Sequence, residues 1–88
     1  MYILNQNGNV LIDSNHVANF YIYEFTKYGD SKPSEWTIRA EYSMANNDAA
    51  LFDVVAFYHN KEECKLRFNN LIHALIEDRK FYNFFKEE

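Results

Sequence analysis

The hydrophobic period of this chain changes once, at Asn60. Before that residue, apolar positions alternate or cluster in short runs bounded by turn formers. After it they recur at helical spacing. A chain patterned this way folds as strands followed by one helix.

The clearest strand is 36–44. Trp36, Ile38, Ala40, Tyr42 and Met44 alternate with Thr37, Arg39, Glu41 and Ser43, giving one face for a core and one for water. Segment 17–27 (VANFYIYEFTK) is rich in β-branched and aromatic residues, the composition of a long strand. Segment 51–59 (LFDVVAFYH) reads the same way, with Asp53 as its one charge. Near the start, strands at 2–5 and 10–12 flank Asn7-Gly8, the signature of a two-residue hairpin turn. Asp13-Ser14-Asn15 and Ala45-Asn46-Asn47-Asp48 are turn clusters, and 28–34 is a loop punctuated by Gly29 and Pro33.

The helix is predicted over 61–79. Asn60 suits the N-cap, with Glu63 three residues on as in a capping box. Cys64, Phe68, Leu71, Ile72, Leu75 and Ile76 form its apolar stripe. An aromatic tail occupies 81–88, extending the helix or folding back as a short extra segment. The expected fold is therefore α+β in a single domain, 1–88. An antiparallel sheet of four to five strands packs on one C-terminal amphipathic helix.

One helix covers one sheet face, yet the strands at 17–27 and 51–59 are apolar on both. Tyr21, Tyr23 and Phe25, with Val55 and Phe57, or the alternate residues of those strands, are left to face outward. Exposed apolar patches of that kind mark interaction surfaces, and Tyr suits them because it offers area at low entropic cost. At 88 residues the core is small, and one cysteine cannot form an internal disulfide. Self-association, most simply a dimer, is the expected support. It would use this face or the tail residues Phe81, Tyr82, Phe84 and Phe85.

The formal net charge of -4 and a pI near 5.3 do not give the basic footprint of a nucleic-acid binder. No stretch approaches the apolar length of a membrane span, and the first residues lack the pattern of a signal peptide. With a free cysteine, this gives an expected cytoplasmic location. The abundance of Asn, Lys, Ile, Tyr and Phe matches AT-rich codons.

Catalytic constellations are sparse. One Cys and three dispersed His do not make a zinc site, and Gly8 and Gly29 are isolated turn residues rather than a phosphate loop. Cys64 and His59 could in principle meet across the helix start as a nucleophile and base, but Cys64 already holds a stripe position that assigns it to the core. His73 reads as a boundary residue beside the stripe. Asp53 reads as an edge-blunting or interface carboxylate. Arg39 and Glu41 share the polar side of strand 36–44, as an ionic ladder or as polar contacts for a partner. The expectation is a non-enzymatic protein without metal or cofactor.

The segments ILNQNG (3–8), VANFYIYE (17–24), WTIRAEY (36–42) and NKEECKLRFNNLIHAL (60–75) resemble short uncharacterised proteins of low-GC Gram-positive bacteria and their phages. The resemblance spans most of the chain and lies in its apolar positions. It implies a small phage or prophage accessory protein that binds and inhibits a host protein, for example a CRISPR defence nuclease. The second expectation is an oligomeric protein that sequesters a small ligand such as a nucleotide. Arg39 beside Tyr21 and Tyr23 suits the stacking of a base.

Overall fold

The computed structural model describes residues 1–42 and 51–86. The expected turn at 45–48, with Met44 and the last two residues of the tail, lies outside the described residues. The elements run β1 (Tyr2–Leu4), β2 (Leu11–Asp13), β3 (Val17–Phe25), β4 (Glu35–Tyr42), β5 (Phe52–Tyr58), α1 (Lys61–Ile76) and β6 (Phe81–Asn83), with a 3-10 turn at Ser14–His16. The fold is α+β, with one C-terminal helix packed on sheet, as the patterning predicts.

The strands divide between two three-stranded sheets. The larger has the order β3-β4-β5 and is antiparallel throughout. The smaller has the order β2-β1-β6. There β1 pairs antiparallel with β2 and parallel with β6, which is built from the aromatic tail. The tail thus folds back as a strand. Tyr2 N–H donates to the Lys80 carbonyl (2.9 Å), and Phe84 N–H donates to that of Leu4 (3.0 Å). This closure withdraws Tyr82 and Phe84 from the expected interface. Tyr82 and Phe84 are 3% and 1% exposed inside their own chain, while Phe81 and Phe85 stay on the surface.

Both sheets and the helix share one core. Ile12, Ile3 and Tyr82 lie in register across the small sheet and are all buried. From the large sheet come Ile38, Ala40, Val55, Ala56 and Tyr58, and from α1 come Cys64, Leu71 and Ala74. The helix buries a stripe rotated slightly from the expected one: Ile72 and Ile76 lie on its solvent flank, and Ala74 takes the inward position. Asn60 caps the helix as expected, its Oδ1 accepting from Glu63 N–H at 2.9 Å.

The first hairpin is built differently from a two-residue turn. Such a turn needs positive φ at both central residues. Gly8 has φ 74°, but Asp78 is the only non-glycine with positive φ among the described residues, so Asn7 does not qualify. The loop instead wraps around Asn5, which is 5% exposed. Its Oδ1 accepts from Asn9 N–H and Val10 N–H (3.0 and 3.1 Å), and its Nδ2 donates to Asn9 Oδ1 (3.0 Å). Phe85 packs so closely over Gly8 that a Cβ there would lie 2.6 Å from its ring.

This loop also ties the two sheets together. Gln6 N–H donates to the Val55 carbonyl (2.7 Å), and its side-chain Oε1 accepts from Phe57 N–H (2.8 Å). Both bonds fall on the outer edge of β5, next to a bulge. Ile38 pairs with Ala56 and Arg39 with Val54, leaving Val55 as the extra residue.

Candidate functional site

The register of the large sheet decides which side chains meet on the face turned away from α1. Tyr21 lies opposite Arg39, Tyr23 opposite Thr37, and Phe25 opposite Glu35. On the other side of β4, Arg39 is paired with Val54, Thr37 with Phe57, and Glu41 with Phe52. The helix takes the alternate residues Ile38, Ala40 and their neighbours. Tyr23, Phe25, Phe52, Val54 and Phe57 are left 38–45% exposed.

The bulge explains the one misplacement in the expected face. Period two groups Val55 with Phe57, but two residues opposite one reverse the parity of the strand. Val55 turns into the core at 1% exposure, and Phe52 and Val54 take the outward places. A bulge leaves little trace in a strand of uniformly apolar residues, so the sequence carries no signal for it. A second bulge, between Val17 and Asn19, turns Val17 towards Tyr42 and the core side.

Arg39 stands at the centre of this face. Its guanidinium carbon lies 3.8 Å from the ring centroid of Tyr23 and 4.4 Å from that of Phe52. The cation is held between two aromatic side chains, an arrangement suited to the flat, weakly hydrated guanidinium. Arg39 makes no ion pair among the described residues. Among the described residues, its Nε and the Thr37 Oγ1 are both shielded from water and have no hydrogen-bond partner. The expected ladder from Arg39 to Glu41 does not form. Glu41 instead accepts from Asn19 Nδ2 at 3.4 Å. The face is thus an apolar rim around a cation and an unsatisfied hydroxyl.

The remaining polar candidates are placed elsewhere. Asp53 lies on the helix side, where the Tyr42 hydroxyl donates to it. It is an internal partner rather than an edge charge. Burial, followed by the hydrogen bond and charge of Asp53, raises the Tyr42 phenol to about 12. Cys64 is fully buried, and that burial raises its thiol to about 11. A thiol so protonated is a poor nucleophile. His59 is exposed and meets the Phe57 ring edge-on at 4.9 Å. His73 lines a shallow cleft of about 340 Å³ with Asn70, Ala74, Glu77, Arg79 and Tyr82. No group of three or more metal-ligating side chains converges among the described residues, and no helix there is long and apolar enough to cross a membrane.

The chain matches no family model, no curated protein and no solved structure.

Proposed function

We propose that this chain is a non-enzymatic protein-interaction module. Its docking surface is the outer face of β3, β4 and β5. The observation that carries the reading is Arg39, a cation stacked between Tyr23 and Phe52 with a shielded Nε that has no acceptor among the described residues. Arg and Tyr are the residues most enriched where binding energy concentrates, in a patch that excludes water around a polar centre. A partner with a carboxylate or carbonyl at the middle of an apolar surface would supply the acceptor and cover the exposed rings. The resemblance to phage and prophage proteins gives this reading its most concrete form: an accessory protein that inhibits a host defence protein.

Comparative affinity capture from a lysate of a low-GC Gram-positive bacterium tests it. Wild type, Tyr23→Ala, Arg39→Lys and the helix-surface control Lys65→Ala are used as baits, with folding checked by circular dichroism. A protein retained by wild type and Lys65→Ala, but lost with Tyr23→Ala and Arg39→Lys, supports the face. Arg39→Lys is the sharper variant because it keeps the charge and removes the flat, stacked fork. Identical capture by all four baits counts against it. So does a rise in melting temperature with nucleoside triphosphates that Arg39→Lys removes, which would favour the nucleotide-sequestering reading instead.

A further inference from the structure

We propose that the outer edge of β3 pairs with β3 of a second copy. The two strands run antiparallel across a two-fold axis near Tyr21 and Ile22 and join two three-stranded sheets into one of six. This does not rest on the docking face above, since it uses the backbone edge of the sheet.

An exposed strand edge is a template for pairing, and proteins blunt such edges by shortness, bulges, prolines, lysines or a covering segment. Among the described residues, three of the four sheet edges are managed. β2 and β6 have three residues each. The outer edge of β5 carries the Val55 bulge and is capped by Gln6 through both its N–H and its Oε1. The outer edge of β3 differs. It is nine residues long and terminal in the order β3-β4-β5. Among the described residues, no backbone group pairs with it from outside. From Asn19 to Phe25 it has no bulge, no proline and no lysine. Its one charge, Glu24, is drawn back into its own chain, accepting from Trp36 Nε1 at 3.3 Å and pairing with Lys61 at 3.5 Å.

The edge is apolar on both sides. Phe20 and Ile22 lie on the helix side but are only partly buried, because the helix sits mainly over β4 and β5. Tyr21, Tyr23 and Phe25 lie on the other side. A strand added here covers both rows at once.

Charge selects a second copy as the occupant. In antiparallel self-pairing about the middle of β3, the two Glu24 carboxylates fall on opposite sides of the axis, about 14–20 Å apart. In either register Glu24 meets an uncharged residue, Ala18 or Phe20, and no pair across the axis brings two charges together. The segment is therefore its own complement, as a two-fold interface requires.

Analytical ultracentrifugation and amide hydrogen exchange on the full chain, over a concentration series, test this. The expected result is a mass twice the 10.5 kDa of one chain, with amide protection over 17–25 rising with concentration. Tyr21→Glu should return the mass to one chain. It places like charges together at the axis but sits opposite Arg39 within its own sheet, so the fold is kept. Phe52→Glu, on the outer face but distant from the β3 edge, should remain a dimer. A single-chain mass at every concentration overturns the proposal. So does a dimer whose β3 amides gain no protection, or one that Phe52→Glu dissolves and Tyr21→Glu does not. Should Tyr21→Glu fail to fold, hydrogen exchange on the unaltered chain decides.

Discussion

Tyr42 and Cys64 show how the fold moves the titration of ordinary side chains. Without the fold, the thiol of Cys64 and the phenol of Tyr42 ionise near 9.0 and 10.0. In the folded chain, burial holds their protons to about 11 and about 12, with Asp53 adding to the effect on Tyr42. The unfolded state therefore releases these protons first. Their contribution to stability is complete below pH 9, erodes as pH rises, and is gone above the folded values. The urea midpoint should fall steadily from pH 9 upwards, and less steeply in Tyr42→Phe. Equal slopes in the two proteins would show that Tyr42 is not the titrating group. The stripe position of Cys64 announced its burial, but the Tyr42 shift was not legible in the sequence. Asp53 looked like a lone charge in an apolar strand, and only the pairing of β4 with β5 brings Tyr42 to it.

The helix shows what a local element can and cannot announce about itself. Its start was readable, because an N-cap is a matter of one side chain and the backbone three residues on. Its end was not. The sequence predicted continuation to 79, whereas α1 stops at Ile76. The stop is a Schellman motif: Arg79 N–H donates to the Ala74 carbonyl (3.1 Å) and Asp78 N–H to that of Leu75 (3.2 Å). The motif needs a left-handed residue, and Asp78 supplies it with φ 57° where glycine is usual. An L-residue with a Cβ is strained there. Asp78→Gly should therefore raise stability by about 0.5–1 kcal/mol, measured by chemical denaturation, with no change in helix content. A loss of stability would mean that Asp78 makes a compensating contact. The first hairpin teaches the same lesson. Asn7-Gly8 marked a turn correctly, but the buried Asn5 side chain, not the dipeptide, organises it.

Across the whole molecule, the aromatic tail is the piece whose role changed most between pattern and structure. In sequence it looked like surface available to a partner. In three dimensions it is the last strand of the small sheet, and it places Tyr82 and Phe84 in the core shared by both sheets. Removing the chain from Phe81 onwards should abolish cooperative unfolding, because two large aromatic side chains leave the core together at about 3–5 kcal/mol each. Such a loss is comparable to the whole stability of a small domain. A truncated chain that still melts cooperatively near the wild-type temperature would show that β6 is dispensable. By contrast, Tyr23→Ala and Phe52→Ala on the half-exposed outer face should cost far less stability, as expected for side chains already half in water.

The amino-acid sequence by itself determined the fold class, most strand positions, the start of the helix and the existence of a second apolar face. These depend on local periodicity and on counting faces against available helices. Tertiary structure decided which residues occupy that face. The Val55 bulge reversed the parity of β5, and the register of β3 with β4 set Tyr23 against Arg39. It also decided that the tail belongs to the core, since a parallel pairing of residues 2–4 with 81–83 links the two ends of the described chain. Pairing across so long a separation is fixed by how the whole core closes, and no local pattern records it.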